Sequence, residues 1–358
     1  MATMAHQISA PVPAEPGDKV ALLSPAWAAP AYFPEVHRQA VSRMEELLNV
    51  EVVEYPTTAA MNASPADRAR DFNAALADPQ IRAIFTTVGG DDQIRITRFL
   101  DPVLTRRDPK PVFGYSDNTN ILNWLWRNGI ASYHGGASMV HFGSGPGVDS
   151  EHLATVRAAL FGQEDLPLPM PEDSEDYGWD WSTPQALTEP VRRESAIPLE
   201  FIGPDALVRG RTWGGCMEVI DQLALADRLP AARELEGAIL LLETSEMLPP
   251  PDYVGRWVRA MGERGYLDAA AGLVFARPVV RNREMPDEPE AVVTARREAY
   301  TEYLLSNIVD YTRDLLVCIG LPFGHTRPQL VLPYGGEITL DPSAGAVIAH
   351  FEIGRAHV

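Results

Sequence analysis

The sequence predicts an α/β fold with an N-terminal parallel sheet and a smaller second α/β unit, and three observations carry that prediction. Short β-prone runs alternate with helical runs from Lys19 to Phe161. The alternation breaks in a stretch rich in proline and acids, Gln163 to Pro190, which holds Tyr177-Gly178-Trp179-Asp180-Trp181. It restarts at Phe201 and ends in three strand runs that read as antiparallel. Strands alternating with helices imply a parallel sheet covered on both faces, with right-handed crossovers, and such sheets bind ligands beyond the carboxyl ends of their strands. The expected division is a flexible leader rich in Pro and Ala at 1–17, an N-terminal α/β unit at 18–170, an aromatic loop and linker at 171–190, and a C-terminal unit at 191–358.

Each element follows from its pattern. Lys19 to Leu23 reads as a strand, and Pro34 to Leu48 places Val36, Ala40, Val41, Met44, Leu47 and Leu48 on one helical face. Glu51 to Tyr55 is the next strand. Ser64-Pro65-Ala66-Asp67 opens a helix to about Asp78, with serine as cap, proline at the first position and an acid three residues on. Ile81 to Val88 is a β-branched strand that ends at Gly89-Gly90-Asp91-Asp92, and Ile94, Ile96, Phe99 and Leu100 predict a helix of imperfect spacing. Pro111 to Phe113 is a strand, Ile121 to Leu125 a helix, Ile130 to Tyr133 a strand and Glu151 to Phe161 a helix. In the second half, Leu207 to Thr212 is a strand, Gly214-Gly215 a turn, and Met217 to Leu225 a helix. Ala238 to Leu242 is a wholly apolar strand that ends at Glu243, and Val254, Trp257, Val258 and Met261 fall on one face of a helix. Leu273 to Phe275 is a strand, Arg281 to Glu290 a solvated loop, Arg296 to Ile308 a helix and Leu315 to Ile319 a strand. Strands are expected last near Gln329 to Leu332, Glu337 to Leu340 and Val347 to Phe351.

Composition narrows the function. A chain of 358 residues with 46% hydrophobic content buries a sizeable core, and its formal charge of −19 opposes nucleic-acid or anionic-membrane surfaces, since no basic patch offsets it. The N-terminus lacks a basic start followed by an apolar core, and no run of 18 apolar residues occurs, so a cytoplasmic location is expected. Cys216 and Cys318 form no CxxC, HExxH is absent, and neither GxGxxG nor GxxxxGK[ST] occurs, so no metal and no cofactor is expected.

The stretch KPVFGYSDNTNILNWLWRN, 110 to 128, organises the rest. It reads as strand, sharp turn and helix, with Ser116 at the turn, where free backbone N–H groups can stabilise an oxyanion. Serine is also a favoured helix cap, so both readings stand on these residues. Ser116, Glu243 and His325 each follow an apolar strand run and each sits by a turn, in the order nucleophile, acid, histidine. Glu243 also fits as a solvated acid at a strand end, and His134 and His141 compete with His325; spacing does not decide between them.

Several separated blocks resemble the LD-carboxypeptidase and microcin C self-immunity group of serine peptidases: TTVGGDD at 86 to 92, GYSDNTN at 114 to 120, RTWGGCMEVI at 211 to 220, LLLETSE at 240 to 246 and GLPFGHTRPQLVLPYGGEITLD at 320 to 341. The resemblance implies Ser116 as nucleophile, Glu243 as triad acid, His325 as base, and an oxyanion hole from the backbone N–H groups of Gly90 and Asp117. It also implies a glutamine-amidotransferase-like N-terminal domain, a barrel-like C-terminal domain, a triad assembled across their interface, and a homodimer. The chain departs from the family where Cys216 follows Gly214-Gly215 in place of an asparagine, leaving Cys216 as a candidate substrate contact. Asn118 stands where an α/β-hydrolase elbow has its second glycine.

Within that group, LD-carboxypeptidases remove D-alanine from murein peptides, and immunity proteins split an amino acid from a modified adenosine. Tyr177, Trp179 and Trp181 resemble the aromatic loop of the immunity branch and are expected to stack on a nucleobase, unless they cover the domain junction. Arg211, or Arg209, is expected to grip a substrate carboxylate. The expected activity is therefore cleavage of an aminoacyl- or peptidyl-nucleotide conjugate. Murein carboxypeptidase activity, an esterase or amidotransferase-like enzyme, and a non-catalytic binding protein on the same fold are the alternatives.

Overall fold

The computed structural model describes residues 7–163, 165–285 and 288–351. Two sheets dominate it. The first runs in the order Leu332–Tyr334, Ser132–His134, Val112–Gly114, Ile81–Thr86, Lys19–Leu23, Glu51–Glu54. Its five N-terminal strands are parallel, as the alternating pattern predicts. Their middle members are apolar at nearly every position because helices cover both faces. Phe85, Phe113 and Tyr133 stack from strand to strand across its middle, with ring centroids 4.2 and 5.0 Å apart.

The second sheet has eight strands, in the order Leu166–Pro167, Ala346–His350, Glu337–Asp341, Val208–Cys216, Ile239–Glu243, Gly272–Ala276, Leu316–Leu321, Glu200–Ile202. Its central four are parallel and the flanking strands antiparallel, and it curls into a half-barrel. Val20, Phe85 and Phe113 of the first sheet share one hydrophobic cluster with Leu241, Val274 and Leu340 of the second. Among the described residues, no helix is long and apolar enough to cross a membrane.

Several local expectations are corrected. The pair Gly214-Gly215 forms no turn but lies inside the strand Val208–Cys216 at φ 147° and 112°. A Cβ on Gly214 would sit 1.9 Å from the Leu241 carbonyl oxygen, and one on Gly215 2.7 Å from Thr119 Oγ1. The glycines are there for close approach. Ile94 to Leu100 forms two 3-10 turns, Gln93–Arg95 and Thr97–Phe99, instead of a helix. No side chain caps either turn, and the apolar spacing lacks the 3.6-residue period. Residues 1–6 of the expected leader lie outside the described residues. Its remainder is packed rather than loose: Ile8 and Ala14 are buried, Ser9 bridges Ile130, and Ala14 N–H donates to the Leu160 carbonyl. Burial of those few apolar side chains, with backbone pairing, holds the segment down. The Arg281 to Glu290 stretch, of which 286 and 287 lie outside the described residues, begins with a buried arginine paired to Glu194 at 2.6 Å. The strand expected near Gln329 to Leu332 is Leu332–Tyr334, and it completes the first sheet, antiparallel to Ser132–His134.

Candidate active site

The strand Val112–Gly114 ends one residue before Tyr115, and Ser116 opens a 3-10 turn that leads into the helix Thr119–Arg127. Ser116 has φ 60°, a left-handed conformation that a non-glycine residue adopts at a cost of roughly 1–3 kcal/mol. Neither the turn nor the helix receives a side-chain cap, so the capping role open to this serine in the sequence is not the one it takes. The turn is held instead by its neighbours. Asn118 Nδ2 donates to the Val88 and Tyr115 carbonyls, while the Asp117 carboxylate accepts from Gln93 N–H at 2.9 Å and from Asn120 Nδ2 at 2.9 Å. Burial pushes the Asp117 carboxyl up to about 6, against the pull of the Gln93 N–H. Gly89 lies directly against the serine: a Cβ there would stand 2.8 Å from Ser116 Oγ and 3.3 Å from Asp117 N. Only a bare backbone leaves that space open.

Glu243 is the last residue of the central strand Ile239–Glu243 and is fully buried. Its Oε2 lies 2.6 Å from His325 Nδ1, and its Oε1 is 3.9 Å from His134 Nε2. Tyr115 packs edge-on against the His325 ring at 4.9 Å. Burial disfavours the imidazolium of His325, but the Glu243 and Glu246 charges and the Glu243 hydrogen bond outweigh it, and the pKa is pushed up to about 9. Burial raises the Glu243 carboxyl, with His325 pulling the other way. The competing histidines differ. Burial drives His134 down to about 3 and His141 well below its usual value, and His141 stacks on His152 at 4.3 Å, with no ion pair to a carboxylate among the described residues.

Ser116 and His325 line one cavity of about 440 Å³, together with Gly89, Gly90 and Glu246. Tyr177, Trp179 and Trp181 line the same cavity. Trp179 Nε1 donates to the Pro190 carbonyl at 3.1 Å, and Trp181 packs edge-on against Phe33 at 5.6 Å. The structure thus brings together six of the expected residues, Ser116, His325, Gly90, Tyr177, Trp179 and Trp181, with Glu243 directly behind His325 and Asp117 N beside Ser116 Oγ.

Two expected contacts, the arginine and Cys216, do not line this cavity. Arg211 is exposed near the middle of its strand, in register with Glu337, and five residues of strand separate it from the carboxyl end by about 17 Å. Arg209 is paired with Glu337 at 2.8 Å. Cys216 is buried, faces Glu243 in the sheet register and has its Sγ 3.4 Å from Glu218 Oε2, outside the cavity lining. Trp27, Phe33, Glu246, Arg283 and Arg327 line the cavity and were not picked out from sequence. Trp27 and Phe33 follow the carboxyl end of the first strand, where the rule for parallel sheets places ligands. Glu246 ends the LLLETSE block.

Comparison with known proteins finds matches in family and in fold over most of the chain. Residues 20–135 match the LD-carboxypeptidase N-terminal domain and residues 209–340 the LD-carboxypeptidase C-terminal domain. The chain is similar to a Vibrio cholerae protein carrying the provisional name carboxypeptidase, at 26% identity over 91% of this chain and 92% of that one. It is also similar to the microcin C7 self-immunity protein MccF of Escherichia coli, at 24% identity over 77% of this chain and 75% of that one. The solved structure of MccF in complex with aspartyl sulfamoyl adenosine superposes with a TM-score of 0.81 at 21% identity, covering 95% of this chain and 98% of that one. An MccF-like protein from Streptococcus pneumoniae, in complex with AMP, also gives 0.81, at 19% identity over 94% and 99% of the two chains.

Proposed function

The chain belongs to the LD-carboxypeptidase family of peptidases, and from that premise we propose that it is a serine-type amide hydrolase acting on aminoacyl-nucleotide conjugates. Ser116 attacks the scissile carbonyl while His325 Nε2 takes its proton, and Glu243 fixes the imidazole through Nδ1 and stabilises the imidazolium that forms. The backbone N–H groups of Gly90 and Asp117 receive the developing oxyanion. His325 then hands the proton to the leaving amine, and water, deprotonated by the same imidazole, releases the acyl group. Every group this reaction needs comes from the chain, so it requires no cofactor. The observation that supports it most is the placement of a left-handed serine and a carboxylate-bound histidine on one cavity.

The nucleotide assignment draws on the aromatic lining by Trp27, Phe33, Tyr177, Trp179 and Trp181, which offers π-faces that a small amino-acid leaving group cannot use, and on the ligands of the solved relatives. A murein tetrapeptide LD-carboxypeptidase is the second reading, favoured by the family's own description and by the name of the Vibrio relative. A cytoplasmic homodimer is the location and assembly that go with either. Mass spectrometry of products from aspartyl sulfamoyl adenosine and a murein tetrapeptide, incubated side by side, separates them. Cleavage of the tetrapeptide alone replaces the first reading with the second. Tight binding of either compound without cleavage makes the protein a non-catalytic binder.

A further inference from the structure

The charges around the cavity are almost all spoken for. Asp176 is ion-paired with Arg277 and accepts from Val280 and Arg281 N–H at 2.9 and 3.1 Å. Arg327 pairs with Glu175 at 3.2 Å and Asp149 at 3.6 Å, and Arg283 with Asp180 at 3.2 Å. Glu246 differs. Among the described residues its carboxylate has one charged partner, His325, with Oε2 3.2 Å from Nε2. The contact has ion-pair distance but lacks hydrogen-bond alignment, since Nε2 has no hydrogen-bond partner among the described residues. Nε2 is the nitrogen that Glu243 leaves free and that must receive the serine proton.

The segment carrying Glu246 is anchored while its side chain is not. Glu218 Oε1 accepts from both the backbone N–H and the hydroxyl of Ser245, at 3.0 and 2.6 Å, and Ser245 Oγ accepts from Met247 N–H at 3.2 Å. The Glu246 side chain itself is 61% exposed. A fixed backbone with a free side chain lets the carboxylate swing between partners without refolding the loop.

We propose that Glu246 is a specificity residue that binds the ammonium group of an aminoacyl substrate, and that it pairs with His325 Nε2 when no such group is bound. The proposal rests on the serine-hydrolase reading above. An aminoacyl group carries its ammonium one carbon from the carbonyl that Ser116 attacks, so a carboxylate in reach of His325 is in reach of that ammonium. Transfer of Glu246 to the substrate removes a carboxylate from the imidazolium, which lets His325 lose its proton and act as base. Binding of the correct substrate thus prepares its own catalyst. The other groups facing His325 stay in place: Glu243 from the central strand, Glu218 from the helix Met217–Leu225, Tyr115 beside Ser116, His134 and His141 from the first sheet and the short helix after it, and Arg327 on its own segment.

The test compares wild type with Glu246→Gln, which keeps the side-chain shape and removes the charge. Nitrogen NMR of the histidines in the whole protein follows the His325 titration, and its midpoint is expected to fall by about one unit or more in the variant. Calorimetry on Ser116→Ala, with and without Glu246→Gln, uses aspartyl sulfamoyl adenosine and its N-acetyl form as probes. Loss of the carboxylate is expected to weaken the free-amine probe about tenfold or more and to leave the N-acetyl probe within about twofold. An unmoved midpoint, equal effects on both probes, or binding of neither overturns the proposal. Failure of the hydrolase reading looks different: Glu246-dependent binding of the free-amine probe that the wild type does not cleave.

Discussion

At Ser116 the backbone is held at φ 60° by a buried web of Asn118, Gln93, Asn120 and the Asp117 carboxylate, with Gly89 leaving the hydroxyl uncovered. Ser116→Ala should abolish turnover and leave the fold intact, as thermal melting will check, because alanine removes only an oxygen that caps nothing. Gly89→Ala tests the same space from the other side: a methyl 2.8 Å from both Oγ and Cβ of Ser116 and 3.3 Å from Asp117 N has to displace the turn, so kcat should fall at least a hundredfold and the melting temperature should drop with it. His325 supplies a pH prediction. Its folded pKa of about 9 lies above its usual 6.5, so this group's contribution to stability is full below about 6.5 and is lost as pH rises through about 9. Activity runs the opposite way, because the base must be neutral. Hence kcat/KM should climb with pH and level off above about 9. A rate profile already flat at pH 7 contradicts the double carboxylate contact. His325→Ala should be as inactive as Ser116→Ala, whereas an inactive His134→Ala beside an active His325→Ala reassigns the base.

Among the elements, the strand Val208–Cys216 and the loop at 171–190 carry the most consequence. The glycine pair lets that strand pass against Leu241 on one side and Thr119 on the other, and so brings the strand that ends in Glu243 up to the serine helix. Gly214→Ala meets the Leu241 carbonyl oxygen at 1.9 Å and a φ of 147°, and should destabilise the fold by about 2 kcal/mol or more in urea titration. In the loop, Trp179 is 42% exposed and turned into the cavity, while Trp181 is partly spent on packing against Phe33. Trp179→Ala should therefore cost roughly 1–3 kcal/mol in kcat/KM on a nucleobase-bearing substrate and far less on a murein tetrapeptide. Equal losses on both would assign the ring to structure alone.

At the scale of the molecule, the two sheets share a core and exchange chain. After His325 the polypeptide returns to the first sheet as Leu332–Tyr334, and Thr212 Oγ1 of the second sheet donates to the Pro333 carbonyl at 2.5 Å. The segment with the histidine is thereby tied to the sheet that carries Ser116. A fragment of residues 18–170 lacks that edge strand and leaves part of the common cluster uncovered. It should show no cooperative urea transition, while the whole chain unfolds in one step by both fluorescence and circular dichroism.

The strands and most helices were legible because burial on both faces or one stripe writes a local period into the chain; Pro34–Leu48 and Ile239–Glu243 follow it almost residue for residue. Ser64 as cap and Pro65 at the first helical position were equally local. The choice among His134, His141 and His325 was not, since His134 and His141 are buried, the His325 side chain is nearly so, and only His325 has a nitrogen 2.6 Å from a carboxylate. Nor was the place of Arg211, which depends on which end of a strand faces the cavity, or the role of the glycine pair, which is set by neighbours distant in sequence, Leu241 lying 27 residues after Gly214 and Thr119 lying 96 residues before Gly215. The sequence determined the alternating architecture and, with its family blocks, the candidate serine, acid and histidine, because periodicity and short motifs are properties of neighbouring residues. Tertiary structure alone decided that Glu246 lies on His325 and that Trp27 and Phe33 join the aromatic wall, because those contacts arise only when separate strand ends are brought to one cavity.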